Sequence, residues 1–445
     1  MADKGMTLAI VLLVAGLIVG GGVGYFAAPT KVTTTTTTVT QTVKELPLKG
    51  AVVKMGFINS DTPDLEAQKP YHEQIIATDL NTVSKTLGYG TTFSILVDDA
   101  TGQANVHLEK VQGFKSAGIT VFQGGGWSSQ AQSALSYCNS NGMLMWSSSS
   151  TSPTLAIAKD NLFRMCTADS ALAPALADVM WAFGVKTIVL FQRADSWGDG
   201  IVNLLVPIWT AKGGNVQGEK IRYAGESTEF ANYLTIADGQ VKDAVAKNNG
   251  EKQRVGVVML AFNECAVILQ QAASYTNIYN VHWWGSDGTA KVQRIMDSSP
   301  TQANHMGFYS LLSRETSTPL FQSLEKRYVG LTKQQFTTYN AYAYDLFTVI
   351  TGTMFQSQST SGAVLVPLQK AASDQLFGSA GWSKLDQFGD RAAPPYDVWG
   401  FYPGNTPGSP DLTKASVSII AAQYDPDFKK TTFIVPVLGY TPIGP

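Results

Sequence analysis

Small hydroxyl side chains are concentrated in two short segments that each follow an apolar run. The first segment, GGGWSS, places Ser128 and Ser129 after ITVFQ, and the second, WSSSSTSP, places Ser149 and Thr151 after MLMW. Hydroxyl groups and the free N–H groups of such turns are donors that can hold a small anion such as a carboxylate. The alternative is that these residues only cap helices.

The spacing of the two turns favours a shared site. They lie about twenty residues apart in consecutive strand-turn units. Adjacent parallel strands would place both turns at the same edge of a sheet. The second turn leads into Pro153, which suits the first turn of a following helix, and we expect the partial positive charge of that helix to favour the same anion.

Short β-rich runs alternate with longer amphipathic stretches from residue 51 onward. This alternation is typical of parallel sheets built from βαβ units. We expect two such sheets, one with strands between residues 52 and 146 and one with strands between 187 and 284. The Tyr-rich stretch 336–355 has no strand series of its own, and we expect it to pack as a helix on the first domain.

Composition excludes several classes of function. The chain has 445 residues, 44% of them hydrophobic, and a net charge of −2, without a basic patch that would bind nucleic acid. Four scattered histidines and three widely spaced cysteines form no metal motif, so no metal and no cofactor are expected. We expect the cysteines to be buried fillers, although Cys138 and Cys166 could pair. No GxSxG or Ser-x-x-Lys motif supports an enzyme.

The N-terminus predicts a membrane anchor followed by a stalk. Residues 6–28 contain no charged side chain and are long enough to cross a hydrocarbon core of about 30 Å. Residues 29–49 form a Thr-rich tract with few groups able to build a core. We expect one transmembrane helix that remains in the mature protein, with the globular part at the cell surface, on the extracytoplasmic face of the membrane. A cleaved secretory signal is the alternative.

A series of motifs between residues 52 and 398 carries a family resemblance. They include KMGFINSDT, LVDDATGQ, the two hydroxyl-rich turns, FRMCTADS, FQRADSWGDG, YNAYAYD and GWSKLDQFGDRAAPPYDVW. In this order and spacing the sequence resembles the leucine/isoleucine/valine-binding family, the type I periplasmic binding proteins that serve ABC importers. The segment KGMTLAIVLLV is also similar to an archaeal class III signal, which would make the protein archaeal and membrane-anchored.

The resemblance implies an α/β fold of two Rossmann-like lobes with parallel sheets and a ligand cleft between them. The domains that follow from it are an anchor (1–28), a stalk (29–49), the first part of lobe 1 (50–168), lobe 2 (169–303), a return to lobe 1 (304–390) and a C-terminal segment in lobe 2 or the hinge (391–445).

The same resemblance implies a set of ligand contacts. It assigns the ligand carboxylate to the hydroxyl-rich turns, and it places an acidic residue, Asp287, on the α-ammonium of an amino acid. Alternatives remain for three residues, because Trp197 could cover the hinge, Phe262 could belong to the core, and Asp287 could form an Asx-turn. The expected ligand-binding residues are Ser128, Ser129, Ser149, Thr151, Asp169, Trp197, Phe262 and Asp287.

The function implied is that of a solute-binding protein that presents an amino acid to ABC permease subunits. The family's Gly-rich first loop reads INSDTPDLEAQ here, so Asp61, Thr62 and Asp64 change one wall of the pocket. Trp127 is larger than the residue common at its position. A small polar amino acid, urea or a short amide therefore fits as well as a branched-chain amino acid. A ligand-sensing ectodomain that acts with a separate membrane partner is a further alternative.

Overall fold

The computed structural model describes residues 46–316, 318–392, 394–402 and 417–434. The expected anchor, and the expected stalk up to residue 45, lie outside these ranges. Within the described ranges no helix has the length and apolar character needed to cross a membrane.

The first part of the chain builds five parallel strands and the helices between them. Buried aliphatic and aromatic side chains on the strands pack against one face of each helix, which is why the alternating pattern folds in this way. The elements are β1 (Val52–Asn59), α1 (Thr62–Pro70), a π-helical segment (Tyr71–Ile76), α2 (Ala77–Thr86), β2 (Thr92–Asp99), α3 (Ala104–Ser116), β3 (Val121–Gln123), α4 (Ser128–Asn141), β4 (Leu144–Ser147) and β5 (Leu162–Thr167).

The chain then crosses into a second βα series with its own core. Trp283 is buried in this core and donates its indole N–H to the Ile278 carbonyl. The elements are α5 (Asp169–Ala182), β6 (Thr187–Arg193), α6 (Ser196–Ala211), β7 (Asn215–Val216), β8 (Ile221–Tyr223), α7 (Ala231–Lys247), β9 (Val255–Leu260), α8 (Cys265–Ala272), β10 (His282–Gly285), α9 (Gln293–Ser298), α10 (Pro300–His305) and β11 (Tyr309–Ser313).

The last part returns to the first core and then adds an antiparallel extension to the second sheet. The Tyr-rich stretch forms a buried helix in the first core, as its composition predicts. The elements are α11 (Pro319–Thr332), α12 (Thr338–Ser357), α13 (Gly362–Ser373), the hairpin β12 (Phe377–Gly378) and β13 (Gly381–Trp382), then β14 (Asp390–Arg391), β15 (Tyr396–Tyr402), β16 (Val417–Asp425) and β17 (Lys430–Phe433).

Two sheets organise these elements into two lobes. The first sheet has the order β14-β5-β4-β3-β1-β2, and the main path of the second is β17-β16-β15-β11-β10-β9-β6-β7. Both are parallel in their βα part, whereas β11, β15, β16 and β17 pair antiparallel. β11 falls within the range 304–390 but pairs with the second sheet, because its parallel register with β10 continues that sheet. The return to the first lobe therefore follows Ser313.

Candidate functional site

The two hydroxyl-rich turns meet at one edge of the first sheet, as their spacing predicts. Strands β3 and β4 are parallel neighbours, with Gln123 opposite Trp146. The first turn depends on glycine, since Gly125 has a φ of +61° and a Cβ at Gly126 would lie 2.2 Å from the Ser60 hydroxyl oxygen. The N–H of Gly125 donates to Nε2 of His107 at 2.7 Å, which fixes this turn from below.

The second turn differs from the expectation at its end. The prediction of a helix after Pro153 is wrong. The segment is a single 3₁₀ turn, Pro153–Leu155, and the Ser152 hydroxyl accepts the N–H of Thr154 at its start. Only a few residues separate this turn from β5, so there is no room for a longer helix. Without a long run of aligned peptides, this turn offers an anion no helix dipole of the kind expected.

A buried arginine holds the second turn in place. Nε and Nη2 of Arg164 on β5 both donate to the Asp390 carboxylate, at 2.5 Å each. Nη1 donates to the carbonyl oxygens of Ser150 and Ser152, at 2.9 and 2.8 Å. The guanidinium thus supplies its donors to the backbone on either side of Thr151, and the side chains of both ion-pair partners are almost fully buried. The planar guanidinium group holds its N–H donors in fixed directions, so it can make these four hydrogen bonds at once.

Most of the expected hydroxyl contacts already have protein partners. The Ser128 oxygen accepts the N–H of Ser152 at 3.1 Å, so the two turns are bonded to each other. Ser149 donates to the Gly126 carbonyl at 2.9 Å. Ser129 is half-buried in the first turn of α4. Ser128 keeps its own hydrogen for a ligand, whereas Ser149 offers lone pairs only while its present bond persists.

Thr151 joins the two lobes. Its hydroxyl oxygen accepts the indole N–H of Trp197 at 3.1 Å, and its carbonyl accepts the N–H of Asp169 at 2.8 Å. Trp197 lies in the first turn of α6 and is buried. The expected residues Thr151, Asp169 and Trp197 therefore form one cluster at the interlobe boundary.

Asp169 and Asp287 form a pair of poorly compensated carboxylates. Both oxygens of Asp169 and Oδ1 of Asp287 are buried without a hydrogen bond of ordinary geometry among the described residues. Burial raises the pKa of both groups, and the charge of Asp287 raises the pKa of Asp169 further, while Thr151 and Arg164 act in the opposite direction. Oδ2 of Asp287 accepts the hydroxyl of Tyr339 from α12. The pair creates a place where a cation would be stabilised.

Three aromatic rings stack across the interlobe boundary. Phe262 lies between Trp127 of the first lobe and Trp197 of the second, with ring centroids 4.8 and 4.4 Å away. The guanidinium of Arg193 lies 4.8 Å from the Trp127 ring and 4.6 Å from the Phe262 ring. Trp127, which sequence comparison singled out only for its size, is thus one of the principal contacts between the lobes.

A cavity of about 430 Å³ lies between the lobes beside these residues. Of the expected ligand-binding residues, Ser149, Phe262 and Asp287 line this cavity. Ser128, Ser129, Thr151, Asp169 and Trp197 do not line it, and all but Ser129 are buried in the adjoining structure. The expected residues thus fall into two sets: one lines the cavity, and the other lies beside it and includes the residues that join the lobes.

Other lining residues lie outside the expected ligand-binding set. Asp64 of α1 accepts the amide of Asn263 from the second lobe at 3.1 Å, and burial raises the pKa of Asp64 to about 6. The sequence predicts that Asp64 changes one wall of the pocket, and Asp64 does line the cavity. Asn263 gave no signal, because the residues that it meets are distant in sequence.

A buried polar chain also reaches the cavity. Nδ1 of His72 lies 2.7 Å from the Gln68 carbonyl oxygen, and Nε2 lies 3.0 Å from the amide oxygen of Gln123. The amide nitrogen of Gln123 donates to the Ser148 hydroxyl oxygen at 3.2 Å. Both Gln123 and Ser148 line the cavity. Burial lowers the pKa of His72 to about 4, so the ring is neutral near pH 7. A lone histidine inside a helix gave no sequence signal for this arrangement.

Neither a metal site nor a disulfide bond is found among the described residues. No group of three or more His, Cys, Asp or Glu side chains in this part of the chain could hold a metal ion. Cys138, Cys166 and Cys265 are buried and unpaired, so the possible bridge between Cys138 and Cys166 does not form. The site is built from hydrogen-bonding and aromatic groups, which suits reversible binding.

Comparison with known proteins agrees with this architecture. The chain is 25% identical over 348 residues to an uncharacterized protein of Methanocaldococcus jannaschii, which covers 73% of this chain and 80% of that protein. The leucine-binding protein LivK of Thermotoga maritima superposes with a TM-score of 0.65 at 15% identity, covering 84% of this chain and 99% of that one.

Two further structures share the fold while carrying different ligands. LivJ of Streptococcus pneumoniae, solved with isoleucine, has a TM-score of 0.65 at 16% identity over 82% of this chain and 98% of its own. A solute-binding protein of R. palustris, solved with benzoate, has a TM-score of 0.64 at 14% identity over 83% and 96%. The family model described as the receptor family ligand binding region matches residues 77–403. The chain therefore belongs to this ligand-binding family, with the two-lobed fold of the type I periplasmic binding proteins.

Proposed function

We propose that this protein binds an amino acid between its lobes and acts as the solute-binding component of an ABC importer. The observation that carries the proposal is the pair Asp169 and Asp287, whose carboxylate oxygens are buried and incompletely hydrogen-bonded beside the interlobe cavity. An ammonium group placed against them would satisfy these acceptors and supply the missing positive charge.

The opposite end of an amino acid would meet the hydroxyl-rich edge of the first lobe. Ser128 retains a hydroxyl hydrogen, and the first N–H groups of α4 at Ser128 and Ser129 begin a helix of 14 residues. Both features favour a carboxylate. Ser149 would have to release the Gly126 carbonyl in order to donate, so we assign it a contact that forms on ligand entry.

Closure of the two lobes would provide the signal to the transporter. The stack of Trp127, Phe262 and Trp197, together with the Thr151–Trp197 and Asp64–Asn263 hydrogen bonds, already links both lobes around the cavity. A ligand held from both sides would stabilise this arrangement over an open one. The permease subunits would then recognise the closed form.

We further propose that the protein acts at the cell surface. Residues 6–28 would anchor it, and the Thr-rich tract would hold the lobes close to the permease, which raises their effective concentration there. N-terminal sequencing of the protein extracted from native membranes tests this point. A mature start beyond residue 28, with protein in the soluble fraction, would contradict the anchor.

The binding proposal is tested by calorimetry of the full chain with a panel of amino acids. Asp287→Asn should weaken amino-acid binding by about 1.5–3 kcal/mol, the usual contribution of a hydrogen bond to a charged group. Asp243→Asn, on the exposed surface of α7, is the matched control and should bind normally. Equal affinity of Asp287→Asn and the parent protein for every ligand would refute the role of Asp287.

A further inference from the structure

Polar side chains make up more than half of the cavity lining. The lining includes twelve uncharged polar side chains and five charged ones, beside five aromatic and five aliphatic residues. Binding sites for small molecules are normally lined mainly by hydrophobic side chains. A branched aliphatic side chain would displace water from these amides and hydroxyls without replacing its hydrogen bonds. The lining therefore disfavours leucine, isoleucine and valine.

One lining group requires an acceptor. Nε2 of Gln335 is buried and has no hydrogen-bond partner within the part of the chain that the structure describes. Gln335 belongs to the loop between α11 and α12 and lines the cavity. Because an amide N–H without a partner is costly, a ligand that supplies an oxygen here gains more than one that does not.

A second lining group, Asp64, is an acceptor. Its Oδ1 accepts the Asn263 amide at 3.1 Å, and Asp64 lines the cavity. A carboxylate has several lone pairs, so Asp64 can also accept from a ligand N–H group. Ser148, whose oxygen accepts from Nε2 of Gln123 at 3.2 Å, keeps its hydroxyl hydrogen as a donor.

The charges on the walls limit the choice further. Three acidic residues (Asp64, Asp287 and Asp297) and two basic ones (Lys291 and Arg294) line the cavity. Lys291 is neutralised by Glu315 at 2.7 Å and also bonds the Phe336 carbonyl, and Arg294 is exposed. An ionised side-chain carboxylate close to Asp64 and Asp287 would be repelled. A side-chain cation would suit Asp64, but it could not accept from Gln335.

We propose that the cavity selects an amino acid whose side chain ends in a carboxamide, which both donates and accepts hydrogen bonds. The proposal rests on the proposed function, because it assumes that the ammonium and carboxylate groups bind as described above. In this arrangement the ligand amide oxygen accepts from Gln335 and its NH₂ group donates to Asp64. Glutamine and asparagine are the members of this class.

Calorimetry of the full chain with ligands of similar shape tests the proposal. The series is glutamine, asparagine, glutamate, lysine, methionine and leucine. We expect the better of the two carboxamides to bind at least tenfold more tightly than each of the other four. Tighter binding of any of those four would overturn this inference while leaving the proposed function intact. No binding of any amino acid would overturn both.

A variant pair links the preference to the proposed contact. Gln335→Leu removes the unpartnered donor, so the fold should persist while carboxamide affinity falls at least tenfold and affinity for methionine does not fall. Gln112→Leu makes the same change at an exposed position of α3 and should leave both affinities unchanged. An undiminished carboxamide preference in Gln335→Leu, with a normal circular-dichroism spectrum, would contradict the assignment.

Discussion

Two buried acidic residues at the lobe boundary, Asp169 and Asp287, lower the stability of the ligand-free protein at neutral pH. The pKa values of Asp169 and Asp287 are raised by burial, so ionising these groups costs the folded, ligand-free protein free energy that the unfolded chain does not lose. Their contribution to stability is therefore complete below the ordinary carboxyl pKa of 3.8 and is lost as the pH rises through the higher folded-state pKa. An ammonium ligand reverses this loss by favouring the charged forms.

We expect Asp169→Asn to raise the melting temperature of the ligand-free protein at pH 7 while weakening amino-acid binding. Removal of a buried, incompletely paired carboxylate should add about 1–3 kcal/mol of stability at neutral pH and much less near pH 4. Thermal unfolding at both pH values, with and without ligand, measures the effect. A lower melting temperature at pH 7 would show that Asp169 is fully compensated by its neighbours.

Thr151 and Trp197 should be coupled, because their hydrogen bond joins the lobes. A double-mutant cycle of Thr151→Val and Trp197→Phe should give a coupling energy of about 0.5–1.5 kcal/mol in ligand binding. If Thr151 also touches the ligand, Thr151→Val will still weaken binding in the Trp197→Phe background. Additive effects within 0.3 kcal/mol would mean that the bond makes no net contribution.

At the scale of elements, an ion pair between residues outside the second hydroxyl-rich turn fixes the conformation of that turn. Arg164 on β5 reaches Asp390 on β14 and both backbone carbonyls beside Thr151. Breaking such a buried pair on one side leaves an uncompensated charge. The conformation of this turn thus depends on a strand that follows it by more than two hundred residues.

Arg164→Met should lower the free energy of unfolding by about 3–5 kcal/mol and abolish or strongly weaken ligand binding. The control is Arg222→Met, which removes a two-bond arginine–carboxylate pair with Asp199 on the surface of the second lobe. Because that pair is exposed, its loss should cost about 0–1 kcal/mol. Equal costs for the two variants in urea denaturation would contradict the role assigned to the buried pair.

The alternation of short apolar runs and helical stretches predicted the two sheets, the buried helix α12 and the meeting of the two turns at one edge. These follow from local patterns and from general rules of parallel-sheet topology. The missing helix after Pro153, the placement of β11 in the second sheet and the strand β14 did not follow. The helix is missing because few residues separate Leu155 from β5, and β11 is placed by its pairing with β10. The strand β14 depends on the distant pairing of Asp390 with Arg164, which no local pattern encodes.

The candidate site was predictable to a similar extent. Ser149, Phe262 and Asp287 line the cavity where the family resemblance placed them, and the roles of all the expected residues remain predictions. Gln123, Ser148 and Gln335 were missed, because a serine or glutamine has the same appearance in a sequence whether its side chain faces a cavity or a helix. Only the fold reveals which of these polar groups lack a partner.

At the scale of the whole molecule, the stack of Trp127, Phe262 and Trp197 forms an apolar contact across the cleft. Phe262 bridges Trp127 and Trp197 and carries Arg193 above it. The balance between open and closed forms should therefore be sensitive to this one ring.

Phe262→Ala should shift the ligand-free protein toward an open form and raise its radius of gyration in small-angle X-ray scattering. Ligand should still close the variant, but with reduced affinity, because part of the binding free energy is now used for closure. Phe428→Ala, on the exposed turn between β16 and β17, is the control and should scatter like the parent protein. Identical scattering of Phe262→Ala and the parent, with unchanged affinity, would rule out this role.

The buried pair of Arg164 and Asp390 has a consequence for the order in which the protein is made. The two residues are 226 positions apart, and the parallel strands of the second sheet are synthesised between them. A growing chain that has not yet reached β14 carries an arginine with no carboxylate at the edge of its first sheet. The first lobe therefore reaches its final state only after these strands of the second sheet have been made, although most of its own strands come first. Such a chain has a long interval in which the first lobe's unfinished edge is exposed to other chains.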